Sequence, residues 1–189
     1  MLLLATDLDG TFLAGKSLFK QQLYRMMRER EDVVLVFVSG RGLETVIPLL
    51  NDPIIPNPHY IISDVGATIV NGLTLEPIQP LQASIEDKWP GSIHISNKFK
   101  KVRGLEWQEV PQMRRCSYYF DEHTDLEQVN YIAQSLGCDV LLSAGKYLDI
   151  LPHGVNKGSS LTQLVNLLKV SKKDVLAILW SLKGMIIGQ

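Results

Sequence analysis

Short continuous hydrophobic runs alternate with segments in which hydrophobic residues recur every three or four positions along the first third of the chain. The runs predict strands that are buried on both faces, and the periodic segments predict helices. The predicted order is strand, helix, strand, helix and strand, over 2–6, 17–30, 33–38, 43–50 and 60–63. This order is typical of a parallel sheet whose strands are joined by right-handed helical crossovers.

The first predicted helix should begin at Ser17, whose hydroxyl suits an N-cap. Its apolar stripe is expected to consist of four residues: Leu18, Leu23, Met26 and Met27. After the third strand, the segment D-V-G-A-T-I-V-N-G (64–72) predicts a hairpin.

The pattern changes near Pro77, where the following elements become shorter and more polar. Strands are predicted over 117–120, 139–143 and 147–151, with a helix over 126–136 that Gly137 can end. The earlier pattern then returns as a helix over 156–170 and a fourth buried strand over 174–180. We therefore predict an α/β fold: a doubly wound, Rossmann-like parallel-sheet core from 1–80 and 152–189, with an inserted α+β cap subdomain over 81–151.

The composition argues against nucleic-acid and membrane partners and favours a cytoplasmic location. A net charge of −1 offers no broad basic field for nucleic acid or an anionic membrane. Two cysteines in 189 residues argue against a disulfide framework and fit a reducing cytoplasm. Asp7 comes too early for a signal peptide, and the hydrophobic runs are strand-length, so no membrane span is expected. We expect a cytoplasmic monomer.

Reactive side chains are predicted to meet at one edge of the core sheet. Asp7 and Asp9 follow the first strand, Ser39 follows the second, and Lys157 begins the helix after the insertion. In parallel α/β sheets, ligands bind beyond the carboxyl ends of the strands. A lone pair of aspartates would more often be a turn or helix cap, but the ordered set favours function.

This set suits phosphoryl transfer. One carboxylate can attack phosphorus, and a second can protonate the leaving oxygen and then activate water. Paired carboxylates favour a hard cation such as Mg²⁺. Ser39 and Lys157 can neutralise charge on the phosphoryl oxygens, and Gly10 lets the backbone turn close to the substrate.

The segments D-L-D-G-T (7–11), S-G-R (39–41) and N-K-G (156–158) resemble the haloacid dehalogenase superfamily of phosphatases, in the class with a large α+β cap. Within that class the chain is similar to the sucrose-phosphate phosphatase group. The supporting segments are D-V-G-A-T-I-V (64–70), R-C-S-Y-Y-F-D (115–121) and S-A-G-K-Y-L-D-I-L-P (143–152).

The resemblance implies a role for each matching residue. Asp7 would be the nucleophile and Asp9 the general acid and base, with Mg²⁺ held by Asp7 and by the backbone carbonyl of Asp9. Ser39 would hold the phosphoryl group, which Lys157 would stabilise. The residues assigned to substrate binding are Thr11, Gly40, Arg41, Arg115, Lys146, Asp149 and Asn156. Thr11 would support the loop, Arg41 is expected to pair with a carboxylate, and ordinary cap surface is the alternative for the three cap residues.

The function implied is a Mg²⁺-dependent phosphatase of a sugar phosphate, foremost sucrose 6-phosphate, with a place in sucrose synthesis and an association with a sugar-phosphate synthase. The group often carries Gly-Ser-Glu where this chain has Gly66-Ala67-Thr68, and a lysine where Arg115 stands. Another hexose or glycosyl phosphate is therefore the alternative substrate.

The superfamily's fourth motif, an acidic stretch resembling G-D-S-x-N-D, is expected after the strand at 174–180. This chain instead reads L-A-I-L-W-S-L-K-G-M-I-I-G-Q, so a C-terminally incomplete core is expected. A one-base shift within codons for Ile-Leu-Trp can read Asp-Ser-Leu, so a frame shift and a natural truncation are both open. A non-catalytic sugar-phosphate-binding form is the alternative outside the enzyme class. A phospho-acceptor module ranks last because it leaves the cap unexplained.

The remaining reactive residues are interpreted as structural. The four histidines lack metal-ligand spacing. Trp89 and Trp107 are expected to pack in the cap, with sugar stacking as the alternative. Cys116 and Cys138 are expected to be buried thiols.

Overall fold

The computed structural model describes residues 1–178 and 185–186. In chain order the elements are β1 (Leu2–Thr6), α1 (Ser17–Glu29), β2 (Val33–Val38), α2 (Leu43–Leu50), β3 (Tyr60–Ser63), β4 (Thr68–Asn71), α3 (Leu81–Glu86), α4 (Ser92–Phe99), β5 (Leu105–Trp107), β6 (Cys116–Phe120), α5 (Leu126–Ser135), β7 (Cys138–Ser143), β8 (Tyr147–Pro152), α6 (Lys157–Leu167), β9 (Val175–Ile178) and β10 (Met185–Ile186).

The described residues form two compact units, each with its own sheet. The core unit consists of 1–82 and 156–178, and the insert unit consists of 83–155 and 185–186. Within the described part of the chain, no helix combines the length and hydrophobicity needed to cross a membrane.

The sheet of the core unit has the strand order β4-β3-β2-β1-β9. The pairs β1–β2, β1–β9 and β2–β3 are parallel, while β3 and β4 form the predicted antiparallel hairpin. The continuous hydrophobic runs of β1 and β2 are almost entirely buried, as expected for strands covered on both faces. The predicted α/β fold class is confirmed, and its parallel strands bring their carboxyl ends to one edge.

The core-facing side of α1 differs from the predicted stripe. Tyr24 is the buried residue of this helix, and Leu23 and Met27 pack beside it against the core. Leu18 and Met26 were predicted in the stripe but are 64% and 49% exposed. Leu23, Tyr24 and Met27 share one face of the helix, which points away from Leu18, and the core covers that face.

Two further expectations for the core unit are wrong. The N-cap of α1 is Lys16 rather than Ser17, and its side chain makes no capping hydrogen bond. β9 is not fully buried, because it pairs only with β1 among the described residues and leaves Leu176 and Ile178 half exposed. Residues 179–180, the end of the predicted strand, lie outside the described residues.

The sheet of the insert unit has the strand order β10-β7-β8-β6-β5 and is antiparallel throughout. Its apolar side chains pack with those of α4 and α5 into a core that contains Cys116 and Cys138. Both cysteines are buried free thiols, as predicted. Gly137, with a φ of +69°, follows the last turn of α5 in the predicted helix-ending position.

Candidate active site

The two aspartates lie on a tight turn that directly follows β1. Asp9 is extended, and Gly10 adopts a φ of +72°, a region that glycine enters at little cost. The N–H of Phe12 donates to the Asp7 carbonyl at 3.1 Å and closes the turn. The Asp7 side chain is almost fully buried, whereas that of Asp9 is 58% exposed.

The carboxylate of Asp7 is held from two directions. The backbone N–H of Leu8 donates to Oδ1 at 2.9 Å. Lys157 Nζ donates to Oδ1 and Oδ2, each at 3.2 Å. The lysine comes from 150 residues further along the chain, so folding itself brings the pair together. Asp7, the predicted nucleophile, thus lies in direct contact with the side chain of Lys157.

The position of Lys157 depends on how α6 begins. Asn156 is the N-cap, and its side-chain oxygen accepts from the N–H groups of Gly158 and Ser159 at 2.9 Å. The Ser159 hydroxyl accepts in return from the N–H of Asn156, which completes a capping box. The side-chain oxygen of Asn156 is therefore engaged with the helix, and its predicted contact with substrate stays a prediction.

Arg41 forms a two-pronged ion pair with Asp9. Nε lies 2.8 Å from Oδ2, and Nη2 lies 2.5 Å from Oδ1. The hydrogen bonds with Arg41 lower the pKa of Asp9, partial burial opposes them, and the charges of Arg41 and Lys157 lower it further. The same pairing raises the pKa of Arg41. The expectation that Arg41 pairs with a carboxylate is confirmed.

Ser39 is fully buried at the carboxyl end of β2. Its hydroxyl oxygen accepts from the N–H of Arg41 at 3.1 Å. A Cβ placed on Gly40 would lie 4.0 Å from Lys157 Cε, so this loop passes beside the lysine. Thr11 lies in the aspartate turn, where its carbonyl accepts from Ala14. The core unit therefore brings together the predicted residues Asp7, Asp9, Thr11, Ser39, Gly40, Arg41, Asn156 and Lys157.

The other three predicted residues lie in the insert unit. Arg115 and Asp149 are each 6% exposed, with Arg115 Nη1 lying 3.7 Å from Asp149 Oδ1. The Ser117 hydroxyl also donates to this carboxylate. Lys146 is exposed, with its Nζ 4.8 Å from the centroid of the Tyr147 ring. Contact of these residues with a sugar stays a prediction.

The donor atoms of the core unit fit Mg²⁺ chemically. The Asp7 carboxylate and the Asp9 backbone carbonyl offer oxygen, and Mg²⁺ is commonly held by one or two carboxylates together with waters and a phosphate. Across residues 1–178, no group of three or more His, Cys, Asp or Glu side chains is placed to bind a metal. The position expected for the fourth acidic motif falls outside the described residues.

Sequence reasoning missed one neighbour of the site, the turn Asp64–Gly66 between β3 and β4. The N–H of Asp64 donates to the Arg41 carbonyl at 2.7 Å. A polar residue and a glycine directly after a core strand were the available signal, but the segment was interpreted as a hairpin and as a match to the sucrose-phosphate phosphatase group, with no role at the site.

The fold is similar to that of solved proteins of the haloacid dehalogenase type. More narrowly, the chain belongs to the sucrose-6F-phosphate phosphohydrolase family, whose sequence model matches residues 1–179.

Known proteins resemble the chain over most of its length. A glucosylglycerol-phosphate synthase from Pseudomonas anguilliseptica is 49% identical over 93% of the chain, which spans 23% of that relative. Sucrose-phosphatase 1 from Nicotiana tabacum is 29% identical over 91% of the chain, which spans 43% of that relative. The solved sucrose-phosphatase from Synechocystis sp. PCC6803, in complex with sucrose and phosphate, aligns with a TM-score of 0.76 at 23% sequence identity. The alignment covers 94% of this chain and 75% of the chain of the Synechocystis protein. The chain thus spans less than half the length of these two curated relatives.

Proposed function

We propose that the chain is a Mg²⁺-dependent phosphatase of a glycosyl phosphate and acts through an aspartyl-phosphate on Asp7. The observation that carries the proposal is the contact of Lys157 Nζ with both oxygens of the buried Asp7 carboxylate, at 3.2 Å. A phosphoryl group attacked by Asp7 would lie beside this ammonium, which would neutralise the charge that develops on its oxygens.

In the first step, an Asp7 oxygen attacks phosphorus and the bond from phosphorus to the sugar oxygen breaks. Protonated Asp9 gives its proton to that oxygen, which leaves as a sugar hydroxyl. Because Arg41 holds Asp9 ionised in the described arrangement, this step requires the Arg41–Asp9 pair to open when substrate binds.

In the second step, ionised Asp9 takes a proton from water as the water oxygen attacks phosphorus. The bond from phosphorus to Asp7 breaks, which releases inorganic phosphate and regenerates the Asp7 carboxylate and protonated Asp9. The Ser39 hydroxyl donates to a phosphoryl oxygen in both steps. Mg²⁺, held by the Asp7 carboxylate and the Asp9 carbonyl, would supply further neutralisation of phosphoryl charge.

We propose two candidate substrates. Sucrose 6-phosphate follows from the family to which the chain belongs. Glucosylglycerol phosphate is favoured by a different observation, the 49% identity to a glucosylglycerol-phosphate synthase against 29% to a tobacco sucrose-phosphatase. The same relative supports a sugar-phosphate synthase as the partner of this chain.

Phosphate release by the purified chain tests the proposal. The panel contains sucrose 6-phosphate, glucosylglycerol phosphate and glucose 6-phosphate, with Mg²⁺ or with a chelator, and Asp7→Asn is the matched control because it keeps the side-chain shape. We expect release that requires both Asp7 and Mg²⁺ and that is fastest with one of the two glycosyl phosphates. Equal release by Asp7→Asn would refute the mechanism. Calorimetric binding of a sugar phosphate without any turnover would favour the non-catalytic form.

A further inference from the structure

The turn Asp64–Gly66 has an unusual backbone for its sequence. Asp64, Val65 and Gly66 have successive φ values of +51°, +60° and +111°. Positive φ is rare for residues other than glycine and is a genuine outlier for a β-branched residue such as Val65. Such conformations persist only where the surrounding structure holds them. Here the surrounding structure is the candidate active site.

One side of the turn holds the loop that follows β2. The N–H of Asp64 donates to the Arg41 carbonyl at 2.7 Å, and the N–H of Val65 donates to the Ser39 carbonyl at 3.3 Å. The turn therefore fixes the backbone of the residue that pairs with Asp9 and of the residue proposed to bind the phosphoryl group.

The other side of the turn holds the beginning of α6. A Cβ on Gly66 would lie 2.5 Å from the Asn156 carbonyl oxygen and 2.7 Å from Lys157 N, closer than real Cβ contacts. The Ser160 hydroxyl donates to the Gly66 carbonyl at 2.7 Å in a buried hydrogen bond. The missing side chain of Gly66 thus sets how near α6 approaches, and with it where Lys157 lies.

We propose that the turn Asp64–Gly66 is a positioning element, which keeps Lys157 on Asp7 and Arg41 on Asp9 through one strained segment. Gly66 is the principal residue of this turn, and the hydrogen bond from the Ser160 hydroxyl holds the turn against α6. Its effect on rate rests on the proposed function, whereas its effect on the position of Lys157 does not. The experiment therefore measures both.

The variants are Gly66→Ala and Ser160→Ala, with Gly72→Ala as the control. Gly72 follows β4 at the opposite end of the β3–β4 hairpin, and a Cβ there would collide with the backbone of Pro58. The control therefore introduces a comparable clash into the same hairpin without touching α6. The first readout is the acylation rate of Lys157 by an amine-reactive ester, followed by mass spectrometry against the exposed Lys172. The second readout is kcat and KM for the best sugar phosphate.

We expect Gly66→Ala to raise the acylation rate of Lys157 about fivefold or more, because an amine that no longer contacts the buried Asp7 carboxylate is more accessible to the ester. We expect kcat to fall about 100-fold with KM nearly unchanged, since small misplacements of a catalytic group have costs of this order. Ser160→Ala should shift both values in the same direction by less, and it supplies the test should Gly66→Ala fail to fold.

Gly72→Ala should lower thermal stability and leave both readouts as in the original chain. Unchanged acylation of Lys157 in the folded variants overturns the proposal, and so do equal changes in Gly72→Ala. If the original chain hydrolyses no sugar phosphate, faster acylation still supports the positioning role, while the proposed function fails separately.

Discussion

Asp7 and Asp9 are two positions apart and have contrasting surroundings. Asp7 is buried against Lys157, whereas Asp9 is more than half exposed and paired with Arg41. Pairs of acids whose environments differ in this way commonly divide the roles of nucleophile and proton carrier. The pair with Arg41 favours the ionised form of Asp9, which is the form that activates water in the second step.

Arg41→Gln should therefore change how activity depends on pH. Arg41 lowers the pKa of Asp9 in the folded chain, so its removal should raise that pKa toward the ordinary value of 3.8. The limb of the profile of kcat/KM against pH that reports Asp9 should move to higher pH, which a profile for the best sugar phosphate would measure.

Arg30→Gln is the matched control, because Arg30 makes the same two-pronged contact with Asp32 on an exposed surface. This variant should leave the pH profile in place. An Arg41→Gln profile that coincides with that of the original chain would show that Arg41 does not govern the charge of Asp9 during turnover.

For single residues, the sequence identifies the reactive side chains better than it identifies the residues that they contact. Asp7, Ser39 and Lys157 stand out because each occurs at the end of a predicted strand or the start of a predicted helix. That Arg41 pairs with Asp9 could not be assigned, since 32 positions separate them and several carboxylates were available. The role of Gly66 could not be assigned, because it depends on a close approach of two backbones.

Among the elements, α6 illustrates how a local signal places a distant group. The capping box of Asn156 and Ser159 satisfies N–H groups at the beginning of the helix. This arrangement fixes the first turn, in which Lys157 is the first residue.

Asn156→Ala should lower the free energy of unfolding by about 1 kcal/mol, because the N-cap acceptor is lost. Asn156→Asp should keep most of the stability, since a carboxylate also accepts these hydrogen bonds and suits the positive end of the helix dipole. Urea unfolding of the three proteins measures the difference. Equal losses in both variants would contradict a capping role.

The two cysteines of the insert unit are buried in its hydrophobic core. Burial raises the pKa of Cys116 and of Cys138 to about 12. At pH 8 almost no thiolate forms in the folded chain, so alkylation by iodoacetamide should be about 100-fold or more slower than for a free peptide thiol. Labelling in denaturant should restore the ordinary rate. Rapid labelling of the folded chain would contradict this account of the core.

Elements were predictable where one local pattern determined them. β1, β2 and β3 occur at the predicted bounds because each is a continuous hydrophobic run. The stripe of α1 was wrong because neighbouring elements, and not the helix alone, select which hydrophobic residues are covered. The same reason explains β9: its hydrophobic sequence suits a buried strand, but burial depends on what lies beside it.

For the whole molecule, the two units each possess a hydrophobic core that could be recognised only in outline from the sequence. The change of pattern after Pro77 indicated an insertion. It did not indicate α3, α4 or β5, whose short, partly polar sequences carry weak periodicity. The parallel order of the first strands was predictable, because helices between them leave few alternatives.

Two matched leucines test whether each core stabilises its own unit. Leu35 of β2 is 3% exposed and Leu148 of β8 is fully buried, each within the hydrophobic cluster of its own unit. Truncation of either to alanine removes the same atoms and should lower the stability of that unit by about 2–5 kcal/mol. In hydrogen exchange, Leu148→Ala should speed exchange in β6, β7 and β8, and Leu35→Ala should speed exchange in β1, β2 and β3. If either substitution accelerated exchange equally in both sheets, the units would unfold as one. A substitution in the insert unit would then disturb Asp7 and Lys157 by lowering the stability of the whole molecule. The exchange measurement therefore also decides how a loss of activity in an insert-unit variant must be interpreted.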